Sequence, residues 1–238
     1  MYIMEGGYIM FEVCCLYFLF FLSYSFLGWL MEVIVTMVQN KKFINRGFLI
    51  GPYCPIYGWG SLIIILTLNS NKNDMIGLFL KAIVICSILE YMTSYIMEKL
   101  FHARWWDYSE KKFNLNGRIC LETMIPFGVL ACIVIYGIQP VLYQFYTRIP
   151  NTILYIITIL LFILYLIDNF ISFHTLFHIS SKIKLELKDN TKEISNYVKE
   201  KLKHSTYLNR RIVKAFPNFQ VIITKVKNKV NEKLNRIE

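Results

Sequence analysis

The sequence predicts an all-α integral membrane protein of about five transmembrane helices, followed by a basic, amphipathic helical tail. Three observations carry this expectation. Of 238 residues, 55% are hydrophobic and 16% aromatic, while only 18% are charged, a balance foreign to ordinary soluble domains. Five apolar stretches reach the roughly 20 residues that a helix needs to cross a bilayer core of about 30 Å. The charge is also segregated: residues 1–177 are near neutral, whereas residues 178–238 hold 15 Lys and Arg against 6 Asp and Glu.

The apolar stretches cover residues 13–38, 48–68, 75–97, 119–143 and 153–177. Helices are expected because backbone groups in lipid must be paired within their own segment, and no stretch shows the ten-residue alternation of a barrel strand. The segment before the first, Met1-Tyr-Ile-Met-Glu-Gly-Gly7, lacks the basic region of a cleavable signal, so the first stretch is expected to persist as an anchor. Lys41, Lys42 and Arg46 occupy the first loop, and Lys99, Arg104, Lys111, Lys112 and Arg118 the third. The second and fourth loops hold only Lys72 and Arg148. By the positive-inside rule, residues 1–12 lie outside, 13–177 form the membrane domain and 178–238 form a cytoplasmic tail, in a multi-pass protein of the cell membrane.

The first and third stretches resemble each other. Phe26-Leu-Gly-Trp-Leu-Met-Glu32 and Met92-Thr-Ser-Tyr-Ile-Met-Glu98 both end in Met-Glu and precede a basic loop. Asn45 and Asn116 follow, and Pro55 and Pro126 each lie ten residues further on. The pattern predicts a tandem parallel repeat of two helices plus one more helix. In the tail, Ile194, Val198 and Leu202, then Ile223, Val226, Val230 and Ile237, recur at helical spacing around Pro217. They fit helices that contact anionic lipid or dock a cytoplasmic partner.

Ionisable residues at membrane depth are costly and mark candidate sites. Glu32, Glu90, Glu98, Glu122 and Asp168 fall within or at the ends of the stretches, where Lys81 alone is basic. Arg104 and Arg118 are the expected cations for Glu32, Glu98 and Glu122, since guanidinium groups pair with carboxylates in a two-pronged way. Trp105, Asp107 and Asn116 crowd the same loop, which would suit a headgroup or anion. The cluster either lines a cavity or clamps two helical hairpins together. Gly51, Pro52, Pro55 and Gly58 argue against a continuous helix at the start of the second stretch, so that it either lines a cavity or packs closely through small residues.

Cys14, Cys15, Cys54, Cys86, Cys120 and Cys132 show no CxxC spacing, so neither a disulfide framework nor a zinc site is expected. His174 and His178 lie four apart but without a third ligand nearby, and no metal is assigned. The sequence carries no catalytic triad signature and no nucleotide-binding fingerprint. No cofactor is expected in this chain, and the basic tail does not read as a nucleic-acid module.

Phe26-Leu-Gly-Trp-Leu-Met-Glu32, Asn45-Arg-Gly-Phe-Leu-Ile-Gly-Pro-Tyr-Cys-Pro-Ile-Tyr-Gly58, and Arg104-Trp-Trp-Asp-Tyr-Ser109 with Asn116-Gly-Arg-Ile-Cys120 resemble the CmpB-like family of ABC-transporter type IV permeases. The resemblance covers residues 17–141. It implies a multispanning bacterial permease subunit of an ABC-type transporter, which would depend on a separate ATP-binding subunit because this chain has no Walker A sequence. Membrane lipids and a second copy of the chain are the other expected partners. A rival expectation is an ATP-independent scaffold, a lipid-headgroup binder or a lipid-modifying enzyme, with Glu90, Glu98, Arg104, Asp107 and Arg118 forming a pocket at the cytoplasmic face.

Overall fold

In this computed structural model, residues 2–101, 103–185, 200, 202, 207–216 and 220–221 are described. The chain is built from α1 (Tyr2–Asn40), α2 (Pro55–Leu68), α3 (Met75–Phe101), α4 (Leu121–Cys132), α5 (Gln139–Tyr146), α6 (Asn151–Leu185) and α7 (Tyr207–Ala215). Four helical stretches are long and apolar enough to cross a membrane: Met10–Asn40, Met75–Phe101, Leu121–Tyr146 and Asn151–Phe177. Pro55–Leu68 is a shorter apolar helix. The protein is an all-α membrane protein of about five helices.

α1 packs chiefly on α2 and α3 on α4, so each basic loop closes an antiparallel hairpin. The main core is aromatic and aliphatic, with Phe20, Phe21 and Tyr24 of α1 set against Leu62 and Ile65 of α2, Leu78 and Ala82 of α3, and Ala131 of α4. α1 and α2 approach through small residues. A side chain at Gly58 would come within 2.6 Å of the Phe21 carbonyl oxygen, and one at Gly28 would strike the Tyr57 ring.

The second apolar stretch departs from the expected span of residues 48–68. Its helix starts only at Pro55 and has 14 residues, about 21 Å at 1.5 Å per residue, well short of a bilayer core. Residues 41–54 form no regular helix or strand. Pro52 and Pro55 remove two backbone donors three residues apart, and Gly47 adopts φ +102°, a region that residues with a Cβ rarely enter. The hairpins therefore differ where the sequence made them look alike. Pro126 lies inside α4 without ending it.

Between α4 and α5 the backbone widens into a π turn, Ile133–Ile138, so that 121–146 is one long helix with a bulge. Pro140 cannot donate to the carbonyl four residues back, and the widened turn just before it takes up the mismatch. Buried Gln139 at the start of α5 accepts a hydrogen bond from the Tyr24 hydroxyl at 2.7 Å.

The third loop carries β1 (Ala103–Arg104), β2 (Asn114–Leu115) and β3 (Ile119–Cys120). β2 and β3 pair antiparallel across Asn116 and Gly117, whose φ values of 53° and 67° suit those two residue types. β1 pairs antiparallel with β4 (Gln220–Val221), a strand from the tail. A second core joins Phe101, Trp105 and Leu176 to Leu202, Ile212 and Val213 of the tail. Of the tail's expected apolar positions, Leu202 is described and buried; the other six and Pro217 lie outside the described residues.

Candidate functional site

Three polar assemblies converge where the two basic loops meet the helices. In the first, the Arg46 guanidinium lies 3.5 Å from Glu32 Oε2, and the Tyr57 hydroxyl donates to Glu32 Oε1 at 2.7 Å. Arg46 also donates to the carbonyl of Ala215, at the end of α7, and lies over the Phe216 ring. The Trp29 indole donates to Asn45 Oδ1 at 2.7 Å, and Asn45 Nδ2 donates in turn to the carbonyl of Ile50. Apart from Ala215 and Phe216, each member of this network sits on α1, on the irregular segment or on the first turn of α2, so the fold of residues 41–54 brings it together.

The second assembly holds that segment in place from far along the chain. Asp168 of α6 accepts from the backbone N–H groups of Ile50 at 2.9 Å and Gly51 at 2.6 Å, from the Tyr53 hydroxyl at 2.9 Å and from the Ser172 hydroxyl at 2.9 Å. Arg211 of α7 meets the same segment from its carbonyl side, donating to Leu49 and Phe48 at 2.7 Å each and to Gly47 at 3.4 Å. Irregular backbone needs such partners when it is removed from water. Burial lowers the Arg211 pKa from its ordinary value, and the three carbonyls face its positive charge.

The third assembly is a network around Glu98. One carboxylate oxygen receives Arg104 Nε at 3.1 Å and an Arg118 guanidinium nitrogen at 2.9 Å, and Arg104 also reaches Asp107 at 3.5 Å. Arg118 is 6% exposed, donates to the Ser94 hydroxyl and lies over the rings of Tyr91 and Tyr95. Partial burial pushes the Asp107 carboxyl up. Hydrogen bonds from Ser109 and the Arg104 charge outweigh that and hold it below the usual carboxylate range. Burial pushes the Tyr108 phenol up, so it stays a neutral donor. That hydroxyl donates to Glu90 Oε1 at 3.4 Å.

Between these assemblies lies a cavity of about 720 Å³, within the range typical of small-molecule sites. α1 contributes Glu32 and Thr36, α2 Tyr57 and Gly60, and α3 Glu90 and Thr93. The third loop adds Trp105, Trp106 and Tyr108, and α6 adds Tyr165 and Asn169. Lys214 and Phe216, at and just beyond the end of α7, complete the wall.

The residues singled out by sequence separate accordingly. Glu32, Glu90, Trp105 and Pro55 line the cavity, whereas Glu98, Arg104, Asp107 and Arg118 bind one another outside its lining. Glu32 does not pair with Arg104 or Arg118 as expected but with Arg46, from the loop that directly follows its own helix. Glu122 likewise pairs with exposed Lys111 at 2.9 Å, on the surface. Asn116 binds the Tyr91 hydroxyl at the hairpin turn. Gly51 gives its N–H to Asp168, Pro52 is exposed, and Gly58 packs against Ser25 and Phe21. Arg46, Tyr57, Tyr108 and Arg211 were not among the sequence candidates. Arg211 had a visible signal, a cation set among Leu208, Ile212 and Val213; the pairing of Tyr57 with Glu32 had none.

The family model described as "Putative ABC-transporter type IV" matches residues 19–173. The chain belongs to that family. The match spans α2, α3, α4 and α5 and most of α1 and α6, and so includes Glu32, Arg46, Glu90, the Glu98 network and Asp168 of this family member. α7, with Arg211 and Lys214, lies beyond it. No curated protein and no solved structure matches the chain.

Proposed function

We propose that this protein is the membrane permease subunit of a bacterial ABC-type transporter, powered by a separate ATP-binding subunit and performing no chemistry of its own. The observation that carries the proposal is the cavity: a space of ligand size among α1, α2, α3, α4 and α6, with two carboxylates, Glu32 and Glu90, on its wall. Family membership supplies the transporter class. The protein sits in the cell membrane with the basic loops, the cavity mouth and the tail facing the cytoplasm, and the 1–12 end outside. Four long helices and a short one enclose little volume, which favours a homo-oligomer in lipid. A cytoplasmic loop or the tail meets the ATPase.

The rival pocket for a lipid headgroup draws less support. Arg104 and Arg118, its intended phosphate ligands, both spend charge on Glu98, and Arg118 is buried. Purification from native membranes in mild detergent, with mass spectrometry and an ATPase assay, tests the proposal. A stoichiometric ATP-binding subunit with vanadate-sensitive hydrolysis is the expected outcome. A chain that emerges alone, carrying one defined phospholipid, refutes it.

A further inference from the structure

Among the described residues, Glu90 carries an unpartnered polar atom on the cavity wall. Glu90 is only 8% exposed, faces the cavity and accepts from the Tyr108 hydroxyl through Oε1, while no hydrogen-bonding group of the described residues reaches its Oε2. Neither protonation state resolves this from within the protein. An ionised Oε2 lacks a donor, and a protonated one lacks an acceptor for its hydrogen. A buried group in this condition is costly, and a bound molecule that supplies the missing contact recovers that cost.

The charges around it select the kind of molecule. Glu32 is already matched by Arg46 and Tyr57. Arg46 is held between Glu32, the Ala215 carbonyl and the Phe216 ring, and the other cation on the wall, Lys214, is exposed at the end of α7. The inner wall therefore presents an unmatched carboxylate. The same cavity is lined by Trp59, Trp105, Trp106, Tyr57 and Phe127, aromatic residues whose rings can attract positive charge and whose bodies are apolar. A small metal ion would need several oxygen ligands. Among the described residues no group of three His, Cys, Asp or Glu is placed to hold one.

We infer that this cavity takes an organic cation, an ammonium or amine head on an apolar body, with the head on Glu90 Oε2 and the body against the aromatic wall. The inference rests on the transport role proposed above and names its substrate class. A soluble amine and the ammonium headgroup of a lipid share this chemistry.

The test uses the full chain in phosphatidylglycerol nanodiscs and isothermal titration with benzylammonium, a primary ammonium that can donate to Oε2, with benzenesulfonate as the anionic comparison. Wild type and E110Q, altered in the exposed third loop, are expected to bind the cation and not the sulfonate. E90Q is expected to weaken binding about tenfold or more, the scale of a lost charge-assisted contact. T93F fills the cavity one helical turn away while keeping every charge, and is expected to do the same. Adding phosphatidylethanolamine to the discs assigns the source: competition identifies a lipid headgroup, and unchanged affinity a soluble amine. Equal affinity of E90Q and wild type, preference for the sulfonate, or no cation binding by wild type would overturn the inference. A co-purifying ATPase alongside a chain that binds no cation sinks this assignment alone, whereas cation binding without any ATPase sinks the coupling and leaves the site standing.

Discussion

Replacing Asp168 by Leu should release the irregular segment from α6 while keeping the branched side-chain shape and an apolar helix. The carboxylate is 7% exposed and accepts four hydrogen bonds, two of them from the backbone N–H groups of Ile50 and Gly51. The Tyr53 and Ser172 hydroxyls can rotate towards other acceptors, but the two amides are fixed by the chain. A buried donor left unsatisfied costs about 1–3 kcal/mol, so the two together cost about 2–6 kcal/mol. For a chain of this size that corresponds to a fall in melting temperature of roughly 4–24 °C, on the scale of about 2–4 °C per kcal/mol. The assay is thermal unfolding in detergent, paired with maleimide labelling mapped to peptides. Cys54 is 7% exposed and ends the irregular segment, with its N–H bonded to the Ser25 carbonyl, so its labelling should rise when the segment loosens. Asp168→Asn keeps one acceptor oxygen and should fall between wild type and Leu. A Leu variant that melts within 2 °C of wild type, on the same scale, and leaves Cys54 unlabelled would refute the anchoring role.

Further outcomes follow from the Glu98 network, from Arg211 on the carbonyl side of the same segment and from the α1–α2 contact. Glu98→Gln should destabilise by about 3–5 kcal/mol, because it strands the buried Arg118 charge; the double variant Glu98→Gln, Arg118→Met should recover much of the loss, read as monodisperse protein after heating. Arg211→Met should free α7 from the Gly47, Phe48 and Leu49 carbonyls and raise hydrogen exchange across residues 207–216 well before the membrane helices respond. Gly58→Ala should cost about 1–3 kcal/mol, since the new methyl meets the Phe21 carbonyl oxygen; thermal unfolding measures it. The Asp107 carboxyl is held below its ordinary pKa of 3.8, so its contribution is complete above that value and disappears as pH falls through the depressed one. Trp105 and Trp106 fluorescence should report loosening of the third loop over that acidic window, and Asp107→Asn should remove the transition.

What the sequence made legible was what is local. Hydropathy marked every apolar stretch, because lipid imposes its demand on about 20 consecutive residues, and the third-loop turn announced itself in Asn116-Gly117. The failure at residues 48–54 is instructive. Those residues are as apolar as a helix, and the prolines and glycines gave warning, but what allows them to stay irregular is a carboxylate 118 residues away in sequence from Ile50. Pro126 shows the converse: at the spacing that places Pro55 at the start of α2, a single proline within α4 leaves that helix unbroken. The partners of the buried carboxylates divided along the same line. Arg104 and Arg118 lie near Glu98 in the chain and were foreseen. The Tyr57–Glu32 bond, the closing of the cavity by Lys214 and Phe216, and the three carbonyls gathered by Arg211 exist only after the hairpins and the tail have assembled.

The anchoring of residues 47–51 by Asp168 and Arg211 also imposes a schedule on synthesis. The segment leaves the ribosome early, yet its amides wait for the last membrane helix and its carbonyls for a tail helix about 160 residues later. Until then its polar groups are satisfied only by water or by the insertion machinery, because lipid offers them nothing. A nascent chain stopped before residue 168 thus leaves the Ile50 and Gly51 amides of its first hairpin without their acceptor.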